Sequence, residues 1–158
     1  MQIDTEISTP TTPEEISAAR QRIVESARAW LRTPYHQCWQ KRGVGCDCAS
    51  LLAGVYADAG IIPPQELGSY DWSAPWAKKG ADEIYLAGIR KFAHPISPVR
   101  VSAGDVAMYK LGRGWSHTAI VIRWPGEVVH ALMGQGVVAT PGNSGRLAGR
   151  AVRFWSFF

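Results

Sequence analysis

From Asp105 to its end, the chain is written in short β-prone runs: Asp105–Lys110, His117–Arg123, Glu127–Met133, Val137–Thr140 and Arg150–Phe157. Gly, Pro and Asn punctuate these runs, as turns between strands require. Helical patterns come first and the strands follow. That order predicts an α+β domain, with N-terminal helices packed on a central antiparallel β-sheet, rather than a doubly wound parallel one.

The helical half is punctuated just as clearly. Thr12-Pro13-Glu14-Glu15 reads as a helix start, with Thr12 as N-cap, Pro13 in the first helical position and Glu15 completing a capping box. Ile16, Ala19, Ile23, Ala27, Trp30 and Leu31 recur at helical spacing, and the helix is expected to end near Arg32, because Pro34 disfavours helical geometry at Thr33. A loop is expected from Thr33 to Gly45. A second helix is expected from Cys48 to Ala59, with Asp47 as N-cap, one apolar side formed by Leu51, Leu52, Val55 and Ala59, and Gly60 as its stop. Residues 61–80 read as a long irregular loop. A third helix is expected at Asp82–Phe92, after which Pro95 and Pro98 break the chain and His94 falls in a loop.

Length and composition narrow the class. At 158 residues the chain suits one domain, read as a loose arm over residues 1–12 and a single domain over 13–158. No stretch of eighteen apolar residues exists, so no membrane insertion is expected. Met1 to Pro13 lacks the basic and apolar regions of a signal peptide. The net charge of +4 is spread over isolated pairs such as Lys41-Arg42, Lys78-Lys79 and Arg90-Lys91. With no basic stripe, no nucleic-acid partner is expected, although an anionic polymer such as cell wall stays compatible. Trp72, Trp76 and Trp115 lie in or beside loops and read as packing, with stacking on sugar rings as the alternative.

Three cysteines cannot all pair within one chain, so at least one thiol is available for another use. Cys48 directly follows an N-cap. There it faces unpaired backbone N–H groups and the positive end of the helix dipole, which favour the nucleophilic thiolate. Such a nucleophile needs a base. His117 and His130 sit in consecutive strand runs, and their spacing puts both imidazoles on one face of a hairpin with an even-length loop. A loop over Ile122–Pro125 would make them adjacent. A metal site built from His36, Cys38, Cys46 and Cys48 departs from zinc-knuckle spacing, so neither metal nor cofactor is expected.

Four blocks together resemble the NlpC-type family of cell-wall cysteine peptidases. They are Thr33-Pro34-Tyr35; Gly43-Val44-Gly45-Cys46-Asp47-Cys48; Gly104-Asp105-Val106 ahead of Ser116-His117-Thr118-Ala119-Ile120-Val121; and Val129-His130-Ala131. The Gly-x-Gly-Cys-Asp-Cys block is most similar to the branch found in phage tails and prophage clusters. The resemblance implies a papain-like fold with Cys48 as nucleophile at the N-terminus of the central helix. It also implies His117 as general base and then acid, His130 as its orienting partner, Tyr35 as an aid to the oxyanion and Asp47 as a contact for the substrate amine. The expected activity is endopeptidase cleavage of peptidoglycan stem peptides, between D-glutamate and the diamino acid. Phage tail proteins are the expected partners, and delivery is expected from a particle after synthesis in the cytoplasm. Ala49-Ser50 departs from the family's usual Ser-Gly, which bears on substrate choice. The alternatives are another acyl-transfer chemistry, amidase or transglutaminase-like, and a non-catalytic wall-binding tail component.

Overall fold

The computed structural model describes residues 7–67 and 86–158. Helix α1 spans Pro13–Ala29 and begins with the expected capping box: Thr12 accepts from the Glu15 N–H, and the Glu15 carboxylate accepts from the Thr12 N–H. It ends three residues earlier than expected. Trp30 caps it, and Arg32 turns the chain with φ +70°. Residues 32 and 33 then bond to Val137, covering the outer edge of the last strand of the main sheet.

The stretch expected as a loop folds into a small hairpin, β1 (Gln40–Lys41) with β2 (Gly45–Cys46). Its turn is made by Gly43 at φ +77°, a conformation open to glycine at little cost. Helix α2, Cys48–Asp58, lies within one residue of its expected bounds. It closes through Gly60: the Gly60 N–H reaches the Ala57 carbonyl and the Ile61 N–H reaches that of Tyr56. Residues 86–92 form α3; the expected start of that helix at 82–85 and most of the 61–80 loop, with Trp72 and Trp76, lie outside the described residues.

The remaining strands are β3 (His94–Ile96), β4 (Val106–Leu111), β5 (Gly114–Arg123), β6 (Glu127–Leu132), β7 (Gly136–Thr140) and β8 (Val152–Ser156). They form one antiparallel sheet in the order β3-β8-β4-β5-β6-β7. The β3 strand corrects the loop expected at His94: a proline is tolerated there because β3 is an edge strand, where the missing N–H breaks no ladder.

The sheet has two packed faces. Val106, Met108, Ile120, Val129, Ala131 and Trp155 pack with Ile23, Trp30, Leu51 and Val55 of the helices. Their alternating neighbours Ala107, Tyr109, Ala119, Val121, Val128 and Phe154 pack with Leu147 on the other face. Two polar links lock the helices to the start of β4. Tyr56 donates to the Gly104 carbonyl at 2.7 Å, and Arg20 pairs with the fully buried Asp105 at 2.7 Å.

Candidate active site

The thiol of Cys48 sits in the first turn of α2 because Asp47 starts that helix from within the protein. The Asp47 side chain is 1% exposed. Its Oδ1 accepts from the Ser50 N–H at 2.9 Å, its Oδ2 accepts from the Cys38 N–H at 2.8 Å, and the Ser50 hydroxyl accepts from the Asp47 N–H at 2.9 Å. One carboxylate therefore both caps the helix and holds the preceding loop against it. Tyr35 enters the same neighbourhood through a bridge to Cys46. Burial, reinforced by Cys48 and Asp47, pushes its phenol up to about 12, so it stays a hydrogen-bond donor at neutral pH.

Strand β5 receives this helix end. The Cys48 sulfur lies 3.7 Å from the Ser116 carbonyl, and the Thr118 hydroxyl lies 3.5 Å from the Cys48 carbonyl. These two contacts bracket His117 along the chain, while its imidazole lies on the face of Tyr109 and Ala119, turned away from α2. The β4–β5 register shifts by one residue here, pairing Tyr109 with His117 but Lys110 with Trp115. Ser116 is the extra residue, and such a bulge frees backbone groups from the ladder.

The two histidines come together, though not as the sequence suggested. His117 Nε2 and His130 Nδ1 are 2.8 Å apart, in an edge-on arrangement of the rings. The expected loop over Ile122–Pro125 is instead Trp124-Pro125-Gly126, following a register shift at Ile122. A three-residue loop alone would have put the imidazoles on opposite faces. The extra residue at Ile122 restores the common face, and the pair is diagonal rather than directly opposed. Both rings are buried, at 5% and 1% exposure. Burial, with His130 and Arg146 beside it, holds His117 down to about 3; burial holds His130 down to about 4. Both are therefore neutral at neutral pH, the form able to accept a proton.

The sequence reading passed over Thr140, whose hydroxyl lies 2.9 Å from His130 Nε2. Only strand register could have revealed it, since it sits ten residues along the chain on β7. The three cysteines form no disulfide. Cys46 is fully buried, and its thiol is pushed up to about 12 by burial and by its neighbours Asp47 and Cys48, which makes it inert. Among the described residues no three His, Cys, Asp or Glu side chains converge as a metal site. Ala49 lines an apolar cavity of about 180 Å³ with Leu52, Tyr56, Phe92 and Phe157.

No protein-family model matches the chain, and no curated protein does. Solved structures do. The fold is similar to that of the NlpC/p60 domain of the peptidoglycan hydrolase SagA, at 19% identity and TM-score 0.58, over 85% of this chain and 96% of that one. It is also similar to the peptidoglycan hydrolase RipB from Mycobacterium tuberculosis, at 16% identity and TM-score 0.62, over 99% and 73% of the two chains. A third similar structure is RipD from the same organism, described as a non-catalytic NlpC/p60 domain protein adapted to peptidoglycan binding, at 16% identity and TM-score 0.56 over 89% and 98%. The molecule thus has the papain-like α+β fold of NlpC/P60 proteins, a fold that serves both hydrolases and a non-catalytic binder.

Proposed function

We propose that the protein is a thiol endopeptidase of peptidoglycan stem peptides, with Cys48 as nucleophile, His117 as base and His130 as its orienting partner. The observation that carries this reading is the seating of Cys48 on β5 between contacts to Ser116 and Thr118, with the intervening His117 hydrogen-bonded to a second histidine. His117 Nε2 is engaged by His130, so Nδ1 is the nitrogen left to take the thiol proton, a transfer that requires the ring to come round from the face it shares with Tyr109. The thiolate attacks the scissile carbonyl. The Cys48 backbone N–H and the Tyr35 hydroxyl hold the resulting oxyanion. His117 then returns the proton to the leaving amine, and water, deprotonated by the same imidazole, hydrolyses the acyl-enzyme.

The resemblance of the Gly43–Cys48 block supports cleavage between D-glutamate and the diamino acid and delivery from a phage tail or related particle. In this reading Asp47 contributes negative charge beside the amine of the stem peptide. The test is digestion of purified sacculi by the wild type and by Cys48→Ala and His117→Ala. Each substitution is expected to abolish release of muropeptides, and release that survives Cys48→Ala would sink the assignment.

A non-catalytic wall-binding role is the second reading. It is favoured by the Cys48 thiol lying on a backbone carbonyl and by the similarity to RipD. Normal wall binding with a Cys48 inert to iodoacetamide at neutral pH would favour it. Product mass spectrometry separates cleavage from amidase or transglutaminase-like chemistry.

A further inference from the structure

The hydrogen-bond chain behind His117 is longer than a triad, and its far end gives it a direction. Extending the β5–β6 register places Ala119 opposite His130, so His117 lies two residues to one side of that pair. On β7, Val138 is opposite His130 and Thr140 lies two residues to the other side. Because β5 and β7 run the same way, His117, His130 and Thr140 form a straight diagonal across three strands. Each step is a hydrogen bond, 2.8 Å from His117 to His130 and 2.9 Å from His130 to Thr140.

The chain ends on the Pro141 carbonyl, 3.2 Å from the Thr140 hydroxyl. A carbonyl only accepts, and a hydroxyl has one hydrogen. With the Thr140 proton on the Pro141 carbonyl, which the Ser144 hydroxyl also reaches at 3.4 Å, the Thr140 lone pairs face His130, which then donates from Nε2. A neutral imidazole protonated at Nε2 is an acceptor at Nδ1. His130 Nδ1 accordingly accepts from His117 Nε2–H. The same rule leaves His117 Nδ1 as a lone pair, which a base directed at Cys48 needs.

We propose that Thr140 is a positioning residue that sets the tautomer of both imidazoles and thereby keeps His117 competent as a base. The catalytic part of this inference rests on the thiol-hydrolase reading above; the tautomer assignment does not. Without the Thr140 acceptor, His130 gains by moving its proton to Nδ1 and donating it to His117 Nε2. His117 must then hold its own proton on Nδ1, the nitrogen meant to receive one from Cys48.

Two-bond ¹⁵N–¹H spectra of histidine-labelled protein report the protonated nitrogen of each ring. The wild type is expected to show both histidines as Nε2–H. Thr140→Val is expected to move His130, and with it His117, toward Nδ1–H, while Thr140→Ser retains the wild-type pattern. On muropeptides, Thr140→Val should lower kcat about tenfold, short of the ~10²–10⁴ that a whole general base supplies, with KM within about twofold. Thr140→Ser should restore kcat. A wild-type His130 protonated at Nδ1, or a folded Thr140→Val with unchanged tautomers, overturns the proposal. The wild-type and Thr140→Ser spectra decide the matter even if the valine variant does not fold. If the wild type shows the Nε2–H pattern but cleaves nothing, the hydrolase reading falls and the tautomer assignment stands.

Discussion

Helices α1 and α2 begin with the same device and put it to different ends. Each has a capping box: Thr12 with Glu15 on α1, Asp47 with Ser50 on α2. On α1 the box is exposed, Pro13 occupies the first helical position and so presents no N–H there, and Glu14 and Glu15 lie in the first turn. Those carboxylates answer the positive end of the dipole themselves. On α2 the box is buried, the first helical residue is Cys48, which keeps its N–H, and the first turn holds no acid. The same device that merely starts one helix sets, on the other, a thiol directly behind a buried carboxylate cap. What separates the two helix ends is the residue that follows the cap and how deeply the cap is set.

Asp47→Ala is the largest break in that comparison. It strips the cap and leaves the buried N–H of Ser50 and the half-buried N–H of Cys38 without this acceptor, at about 2–5 kcal/mol by denaturant titration. A loss no greater than that of Thr12→Ala would show that burial of the α2 cap does not matter.

Acid should strike the strands beneath α2 before it strikes α1. His117 and His130 are held to about 3 and about 4, against 6.5 for an unperturbed histidine. Between those values the unfolded chain binds more protons than the folded one, so stability falls as pH drops from about 6.5 toward 4. Urea midpoints should decline across that window, less steeply in His130→Asn; a flat profile down to pH 5 contradicts the buried neutral pair.

At the contact between the two helices, a Cβ on Gly54 would lie 2.3 Å from the Trp30 ring. The Trp30 indole is itself fixed by donating to Asp58 at 2.9 Å, so it cannot readily move aside. Gly54→Ala should therefore cost about 1–3 kcal/mol in thermal unfolding, despite alanine's better helix propensity. A gain in stability would mean that the helix pair adjusts freely.

The exposed cap sets the small end of the scale. Thr12→Ala should cost about 1 kcal/mol and Glu14→Gln about 0.3–1 kcal/mol, both without effect on muropeptide release. An activity loss in either would tie α1 to the site in a way its geometry does not suggest.

Much of this was legible because it is local. Thr12-Pro13-Glu14-Glu15 and Asp47-Cys48 carry their helix starts within four residues, and the separation of His117 and His130 carries their shared face once Ile122 is left out of the ladder. Misreadings arose where the cause lay elsewhere in the chain. Pro95 reads as a breaker until the sheet order puts its strand at the edge. The β1–β2 hairpin is too short for a periodic signal, and Thr140 has no meaning for His130 until β7 is laid beside β6. The NlpC-type resemblance named the fold correctly from four short blocks, even though structural similarity runs at only 14–20% identity in the chains compared.

The extra residue at Ile122 makes the interval between the histidines a matter of phase. Were Ile122 taken into the β5–β6 ladder instead of being left out of it, His130 would stand opposite Ile120 and turn to the helix side of the sheet. Deleting Ile122, by contrast, would leave Ile120 opposite Val129 and Val121 opposite Val128, and both imidazoles on their common face. Along this hairpin the face of His130 is set by which residues enter the ladder, so the loop can change length while the pair stays in place.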